Sequence, residues 1–352
     1  MITPLKEEKN IQKIRHLLDS VEKIVCVTHT NPDGDAIGSA TAFQAVMHRL
    51  GKTVSIIIPD MLSASLRSVP GAKSVTDATK HPAFAKQLVD EAELIVCLDF
   101  NDLKRIGKLG ELVGASSAPK VVIDHHEDPA PFPDIIISKP ELSSTCLLLF
   151  KVLCALEMFD YIEKDAATSL LTGMMTDTGN FSYNCDVPEI YVVVAELIAK
   201  GANKEKIYRQ QFATHSLDCL RLNAYAILNK LEVINEFNCA IIMLSRNELN
   251  EFHYAKGDTE GLVNKPLDIP GVDISVFLRE EDGFVKVSMR ATDNCRCADR
   301  ICNELFGGGG HDKAAGGEFD GTLEQCAAYI KERLPEIKKK YFSALPSRKL
   351  NK

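Results

Sequence analysis

Four short runs of consecutive apolar residues alternate with helical patterns in the first half of the chain. The runs lie in the segments KIVCVTH (23–29), TVSIIIPD (53–60), ELIVCLDF (93–100) and KVVIDHH (120–126). Continuous Val, Ile, Leu and Cys residues are typical of strands that are buried on both faces of a sheet. Strands of this kind, separated by helices, predict an α/β domain with a doubly wound parallel sheet.

Three apolar patterns with helical spacing lie before residue 180. The first connects the first two strand runs and ends at Gly51, which suits a helix C-cap. The second is STCLLLFKVLCALEMF (144–159), for which Ser143 or Ser144 is a suitable N-cap. The third, EKDAATSLLTGMMTD (163–177), ends on an acidic residue. These segments predict the helices that cover the parallel sheet.

The second half of the chain has a different pattern. A long polar helical stretch comes first and predicts a helical connector. The segment DISVFLREEDGFVKVSMRAT (273–292) then predicts a hairpin that turns at Glu281-Asp282-Gly283, and helical patterns follow on both sides of a glycine run. The predicted organisation is a larger domain at 1–200, a helical connector at 201–235 and a smaller mixed α/β domain at 236–343.

Composition and charge narrow the classes of function. A chain of 352 residues that is 45% hydrophobic can bury two cores. The formal net charge of -8 argues against a protein that holds long nucleic acid on a basic surface. No apolar run approaches the roughly 20 residues that a membrane span needs, and the amino terminus has no signal-peptide core. We therefore expect a cytoplasmic protein without a membrane partner.

The eleven cysteines are scattered along the chain, and many lie inside apolar runs. This distribution favours buried reduced thiols over a disulfide framework. The one cluster consists of Cys295, Cys297 and Cys302, and its spacing is not one of the common zinc spacings.

Acidic residues and histidines follow the predicted strands where each apolar run ends. Ligands bind open parallel sheets at the carboxyl ends of the strands, so these side chains should meet at one edge of the sheet. Each of them could instead be a helix cap or a loop former, and Asp33-Gly34-Asp35 could be an ordinary turn. The candidate site residues are His29, Asp33, Asp35, Asp99, Asp124, His125, His126 and Asp177.

Several carboxylates with two adjacent histidines would repel one another and destabilise the edge unless cations neutralised them. Two divalent metal ions that share a bridging carboxylate, about 3.5–4 Å apart, would neutralise the set and form a clamp for phosphoryl transfer. Mixed carboxylate and imidazole ligands favour Mn²⁺ over Mg²⁺. No Ser-His-Asp triad or phosphate-binding Walker loop competes for this role.

Six motifs resemble those of a known family. HTNPDGD, DFNDLKRIG, IDHH and TDTGNF resemble the four successive motifs of the DHH phosphoesterases, and SMRATD and FGGGGHDKAAGG resemble the accessory domain called DHHA1. Their order and spacing are similar to those of NrnA-like proteins. That resemblance implies degradation of very short RNA, removal of the 3′-phosphate of pAp, or both, by attack of a metal-bridged hydroxide. It also identifies 1–200 as the DHH domain and 236–343 as the DHHA1 domain.

The resemblance also implies a role for each candidate residue. The first metal would be held by His29, Asp33 and Asp99, and the second by Asp35, Asp99, His125 and Asp177. Asp124 would orient an imidazole, and His126 would act on the scissile phosphate as general acid or charge stabiliser. A packing role for His126 remains an alternative. Ser144 and Thr145 in ELSSTC would lie near the site, but an N-cap role is sufficient for them.

The proposed substrate contacts come from both domains. Four glycines are often a flexible linker, but in FGGGGHDKAAGG they would allow a phosphate to approach the backbone of Gly309 and Gly310, with His311 and Lys313 as donors. Arg290 is similar to the substrate arginine of the family and could bind two phosphate oxygens. Arg105 resembles a family position too, and a structural role suits it equally well.

Other functions stay open at this stage. The expected substrate is short single-stranded RNA or a small nucleotide, and a homodimer is compatible with the sequence. Alternative substrates are a linear or cyclic dinucleotide, pyrophosphate and polyphosphate. The alternative outside the enzymes is a nucleotide-binding sensor, which should have lost metal ligands, whereas this chain keeps all of them.

Overall fold

The computed structural model describes residues 2–342, which divide between Thr214 and His215 into two units. The first unit contains a six-stranded sheet in the order β3-β2-β1-β4-β5-β6, and every neighbouring pair is parallel. The strands are β1 Lys23–Val27, β2 Thr53–Ile58, β3 Thr76–Asp77, β4 Leu94–Leu98, β5 Lys120–Asp124 and β6 Ile135–Ser138. The four predicted strands are confirmed, and the short strands β3 and β6 form the edges.

The strand order reverses between β1 and β4. The chain leaves β1 toward β2 on one side, and the later strands are added on the other side, next to β4. A reversal of this kind opens a crevice at the carboxyl ends of the two central strands. Asp99 follows β4 directly and His29 follows β1 after Thr28, so the topology places both residues at the crevice.

Among the described residues, eight α-helices belong to the first unit. They are α1 Glu8–Ser20, α2 Gly34–Arg49, α3 Pro82–Asp90, α4 Leu109–Ala115, α5 Thr145–Ala155, α6 Lys164–Asp177, α7 Pro188–Ala199 and α8 Lys204–Phe212. Ser144 caps α5 through a bond from the Leu147 N–H, and Gly51 follows α2 with a φ of 79°, both as predicted. No helix between residues 2 and 342 has the length and apolar character required to cross a bilayer.

Helices α2 and α6 approach each other at glycines. A Cβ atom added to Gly38 would lie 2.5 Å from the carbonyl oxygen of Ser169, and one added to Gly173 would lie 2.9 Å from the Cα atom of Asp35. Neither distance is possible for a real side chain, so glycine permits the close contact. This contact brings Asp35, near the start of α2, close to Asp177 at the end of α6.

The second unit contains a mixed six-stranded sheet in the order β11-β12-β10-β9-β8-β7. The strands are β7 Leu231–Ile234, β8 Cys239–Leu244, β9 Ile274–Glu280, β10 Val285–Ala291, β11 Gly309–His311 and β12 Ala314–Phe319. The helices are α9 Leu217–Tyr225, α10 Arg246–Glu251, α11 Ala298–Phe306 and α12 Leu323–Ile337. The predicted hairpin is β9 and β10, which pair antiparallel, with Gly283 at a φ of 90° in the turn.

The division between the units lies inside the segment predicted as a helical connector. Its first helix, α8, belongs to the first unit, whereas α9 belongs to the second. A π-helical turn, Ala226–Lys230, follows α9, and the segment then continues into strand β7 rather than ending as helix. The predicted end of the second domain, residue 343, lies one position outside the described residues.

The prediction of buried reduced thiols is confirmed for most of the cysteines, with one exception. Nine cysteines are free and most of them are buried, as predicted, but Cys295 and Cys297 form a disulfide. Both residues lie in the short loop between β10 and α11, where two residues of sequence separation place their side chains together. Cys302, the third member of the sequence cluster, is free.

Candidate metal centre

The predicted metal ligands of the first unit lie together at the carboxyl edge of its sheet. Within residues 2–342, three groups of side chains have potential ligand atoms within 4.8 Å of one another. The groups are His29, Asp33 and Asp99; Asp35, His125 and Asp177; and Asp99, His125 and His126. Because Asp99 and His125 each belong to two groups, the three groups form one cluster.

Asp99 lies at the centre of this cluster. It follows β4, is 2% exposed and has a φ of 66°, a left-handed conformation that aspartate adopts more readily than most residues. Its Oδ2 atom lies 3.3 Å from Nε2 of His29, and its Oδ1 atom lies 3.6 Å from Nε2 of His125. The two oxygens of one carboxylate therefore face two different imidazoles.

The hydrogen bonds of His29 and His125 favour metal binding through Nε2. Nδ1 of His29 lies 2.8 Å from the carbonyl oxygen of Thr30, and Nδ1 of His125 lies 3.2 Å from that of Leu142. A carbonyl oxygen can only accept, so Nδ1 carries the proton in both rings. In each neutral ring the lone pair is then on Nε2, which faces the carboxylates.

Asp35 is fully buried and is held by the start of α5. Its carboxylate oxygens accept hydrogen bonds from the backbone N–H groups of Thr145, at 2.5 Å, and Cys146, at 2.8 Å. A helix N-terminus stabilises negative charge in this way. Asp33 has a second role, because its Oδ1 atom caps α2 by accepting from the N–H groups of Asp35 and Ala36. The cap interpretation of Asp33 and the ligand interpretation are therefore compatible.

The electrostatics of the cluster show a shortage of positive charge. Burial raises the pKa of Asp35 and Asp177 well above the ordinary range, and neighbouring carboxylates raise both further. Burial also opposes ionisation of Asp99, but the hydrogen bond and charge of His29 hold the pKa of Asp99 below its usual range. Burial lowers the pKa of His29, yet Asp99 raises it to about 9. Divalent cations would replace the protons that this arrangement attracts, so the donor set fits metal ions.

Asp124 orients His126 and not His125. Its Oδ1 atom lies 2.7 Å from Nδ1 of His126, and its Oδ2 atom accepts from the backbone N–H of His126 at 3.1 Å. Nδ1 must donate, because the carboxylate accepts. His126 was not predicted as a metal ligand, whereas the structure brings its ring into one group with Asp99 and His125.

The two polar residues at the start of α5 have different roles. Ser144 is the N-cap, and its Oγ atom accepts from the Leu147 N–H at 3.1 Å. The hydroxyl of Thr145 donates to Oδ1 of Asp99 at 2.9 Å. An N-cap role was considered sufficient for both residues, and it does not explain Thr145. The sequence signal was the polar run SST immediately before an apolar helix.

Arg105 lies in the first unit, in the 3₁₀ turn Leu103–Ile106 after β4. Its carbonyl oxygen accepts a hydrogen bond from the N–H of Thr30 at 2.8 Å. This bond ties the loop after β4 to the loop after β1, so the main chain of Arg105 has a structural role beside the metal cluster.

The remaining predicted substrate residues lie in strands of the second unit or in the turn between two of them. Gly309, Gly310 and His311 form the exposed edge strand β11 rather than a loop. Arg290 and His311 both pair with Ala314, from opposite sides. Directly paired residues of antiparallel strands point to the same face, so Arg290 and His311 share a face roughly 10 Å apart. Lys313 follows β11, and its Nζ atom lies 2.7 Å from Asp293.

Comparisons with known proteins agree with this architecture. The model of the DHH family, N-terminal domain, matches residues 23–174, and that of the DHHA1 domain matches residues 236–345. The chain is 28% identical to the bifunctional oligoribonuclease and PAP phosphatase NrnA of Thermus thermophilus, over 93% of this chain and 94% of that protein.

Two solved structures resemble the chain to different degrees. An exopolyphosphatase-related protein from Bacteroides fragilis is 40% identical and superposes with a TM-score of 0.93 over 96% of this chain and 99% of that one. RecJ of Thermus thermophilus in complex with Mn²⁺ is 14% identical, with a TM-score of 0.52 over 99% of this chain and 56% of that one, and shares the fold. The chain therefore belongs to the DHH family, carries a DHHA1 domain in its second unit, and is a hydrolase of phosphoester bonds.

Proposed function

We propose that this protein is a Mn²⁺-dependent enzyme that hydrolyses very short single-stranded RNA and the 3′-phosphate of pAp. The observation that carries the proposal is the cluster around Asp99, in which carboxylates and imidazoles crowd at one edge of a parallel sheet. The substrate class is supported by the similarity to the NrnA protein over nearly the full length of both chains. A cytoplasmic location and a homodimer stay predictions.

The chain offers enough ligands for two divalent ions. One ion would be held by His29, Asp33 and Asp99, and the other would be held by Asp35, Asp99, His125 and Asp177. Mixed oxygen and nitrogen ligands favour Mn²⁺ over Mg²⁺. Such ions supply Lewis-acid stabilisation of charge on the phosphoryl oxygens and activate water as the nucleophile.

His126 is proposed to act on the phosphate. Asp124 holds the ring through Nδ1, at 2.7 Å, and through the backbone N–H of the same histidine. Two bonds to one buried carboxylate fix the position of the imidazole. Nε2 lies on the other side of the ring, and it is the atom from which a proton or a hydrogen bond would be given to the phosphate or the leaving oxygen.

The second unit is proposed to bind the nucleotide. The guanidinium of Arg290 can bind two phosphate oxygens, and His311 on the same face can add a third contact. The exposed backbone of Gly309 and Gly310, with Lys313 at the end of the strand, suits a closely approaching phosphate. Arg105 is kept as a further candidate for substrate binding, beside the structural role of its carbonyl.

One assay tests the proposal and its alternatives together. Protein stripped of metal by a chelator is incubated with pAp, a 5′-phosphorylated diribonucleotide, a cyclic dinucleotide and pyrophosphate, with and without Mn²⁺. We expect phosphate from pAp and mononucleotides from the diribonucleotide, only with added metal, and with Mn²⁺ more effective than Mg²⁺ or Ca²⁺. Full activity in excess chelator would contradict the metal requirement. Hydrolysis of pyrophosphate or the cyclic dinucleotide alone would contradict the proposed substrate class.

A further inference from the structure

Thr145 contacts two carboxylates of the metal cluster at once. It is the first residue of α5 and is fully buried. Its backbone N–H donates to Oδ2 of Asp35 at 2.5 Å, and its hydroxyl donates to Oδ1 of Asp99 at 2.9 Å. One residue therefore holds Asp35 through the main chain and Asp99 through the side chain.

Formation of helix α5 does not require the hydroxyl group of Thr145. The cap of the helix is Ser144, which accepts from the Leu147 N–H. Two other buried threonines inside helices of the first unit bond to their own helix: Thr41 donates to the Ile37 carbonyl at 2.8 Å, and Thr172 donates to the Thr168 carbonyl at 2.8 Å. The hydroxyl of Thr145 is instead directed out of its helix, toward a carboxylate from the loop after β4. A β-branched side chain has few rotamers, so this donor is held in place.

The orientation of Asp99 matters because its two oxygens face different partners. Oδ2 is next to His29, and Oδ1 is next to His125. Rotation of the carboxylate would move both oxygens away from their positions at the same time. The hydroxyl of Thr145 opposes that rotation from one side, and the oxygen that accepts from it still has a lone pair for a cation.

We propose that Thr145 is a positioning residue, which fixes the carboxylate of Asp99 and thereby increases the affinity of the cluster for divalent metal ions. The inference rests on the proposed function, because it assumes that the cluster binds metal. Removal of a hydrogen-bond partner from a metal-binding side chain typically weakens metal affinity by about 10–100-fold. Thr145 does not touch substrate in this proposal and acts only through Asp99.

Replacement of the hydroxyl can be separated from damage to the fold. In Thr145→Val the backbone N–H remains, so both main-chain bonds to Asp35 and the Ser144 cap are kept. Thr145→Ser keeps the hydroxyl and loses the methyl group. Thr41→Val is the matched control, since it removes a buried hydroxyl that bonds only within α2.

The test is calorimetric titration of Mn²⁺ into metal-free wild type and variants, with thermal melting as the check of folding. We expect Thr145→Val to bind Mn²⁺ about 10–100-fold more weakly. Thr145→Ser should stay within about threefold of wild type, and Thr41→Val should be unchanged, because the donor to Asp99 remains in both.

The possible outcomes separate this inference from the function on which it rests. Wild-type affinity in Thr145→Val, or equal losses in the valine and serine variants, would overturn the positioning role and leave the proposed function intact. A wild type that binds no Mn²⁺ would overturn the proposed function and the inference together. If Thr145→Val does not fold, Thr145→Ser and Thr145→Ala differ only in the hydroxyl: a tenfold difference in affinity supports the role, and equal affinity overturns it.

Discussion

Buried carboxylates in the two units are stabilised in opposite ways. In the second unit, Asp273 accepts hydrogen bonds from Thr292 at 2.7 Å, Asn294 at 2.8 Å and Asn238 at 2.9 Å. Burial opposes ionisation of this group, but the three donors hold the pKa of Asp273 below its usual range. Donors from the protein itself stabilise the charge of Asp273, and two of these bonds hold the loop after β10.

In the cluster of the first unit, hydrogen bonds do not outweigh the burial of Asp35 and Asp177. Burial and the charges of neighbouring carboxylates raise the pKa of Asp35 and Asp177 well above the usual range. A fold that places like charges together at the end of a sheet loses stability there, and such sites are commonly functional. The comparison indicates that Asp273 serves the structure, whereas the carboxylates around Asp99 need cations from outside the chain.

The strongest way to break this comparison is to remove the carboxylate at the centre of the cluster. In Asp99→Asn, both proposed ions lose a charged ligand, so we expect hydrolysis of pAp to fall at least about a hundredfold and Mn²⁺ affinity to fall with it. The control is Asp77→Asn, a buried carboxylate of the same unit that accepts from its own turn. A rate for Asp99→Asn within tenfold of wild type would show that Asp99 is not the shared ligand.

Arg290 tests whether the second unit takes part in binding rather than in metal chemistry. Arg290→Ala should retain Mn²⁺ and lose at least about tenfold in kcat/KM on a diribonucleotide, because a bidentate phosphate contact is removed. Hydrolysis of bis(p-nitrophenyl) phosphate, an activated ester that makes little use of such a contact, should fall much less. Lys286→Ala removes another cation from β10 and is the control. Equal losses on both substrates would mean that Arg290 supports the fold or the metal centre.

Replacement of Asp273 should lower the stability of the fold, whereas replacement of Asp177 should raise it. Asp273→Asn replaces one of the two acceptor oxygens with an NH₂ group, so at least one buried donor loses its acceptor, and we expect the free energy of unfolding to fall by about 1–3 kcal/mol. Asp177→Asn removes a like charge from the crowded cluster and should raise the thermal midpoint of the metal-free protein by a few degrees, as loss of functional strain commonly does. Thermal and urea unfolding in chelator measure both effects. A loss of stability in metal-free Asp177→Asn would contradict the claim that hydrogen bonds do not outweigh the burial of Asp177.

The smallest expected effect concerns Glu248, which, like Asp273, is a carboxylate of the second unit stabilised by hydrogen bonds. It accepts from Ser245, Tyr225 and Lys230, which lower its pKa from the ordinary 4.5 to about 2 although burial opposes this. A pKa that is lower in the folded state than in the unfolded state stabilises the fold at pH values above the unfolded-state pKa. This contribution is lost as the pH falls through about 2. Glu248→Gln should therefore lower the thermal midpoint at pH 7, with a difference that shrinks below about pH 4.5. A difference that is independent of pH would contradict this assignment.

Much of the fold could be predicted from the sequence because its signals are local. Consecutive apolar residues identified the four central strands of the first sheet, and the polar residues after them marked the edge where the cluster forms. The hairpin of β9 and β10 had a turn signal in Glu281-Asp282-Gly283. Strands β3 and β6 were missed, since two and four residues at a sheet edge produce almost no pattern.

The parts that were not predictable depend on contacts between distant segments. The approach of α2 to α6 needs Gly38 and Gly173, and single glycines inside helices carry no distance information. The partner of Asp124 depends on the direction of its side chain, and in the structure Asp124 bonds to His126 rather than to His125. The role of Thr145 was not predicted, because a serine and a threonine at the start of a helix are equally suitable caps and Ser144 lies next to it. The glycine run was interpreted as a phosphate-binding segment rather than a flexible linker, and neither interpretation predicted that Gly309 and Gly310 pair with β12 in an edge strand.

Diffraction from crystals grown with Mn²⁺, recorded at the manganese absorption edge, tests the central claim most directly. We expect two anomalous peaks at the carboxyl edge of the first sheet, both within ligand distance of Asp99, one also next to His29 and the other next to His125. Crystals of Asp99→Asn grown in the same way should show weaker peaks or none. Absence of any peak near Asp99 in the wild-type protein, or peaks only elsewhere in the chain, would contradict metal binding at this cluster.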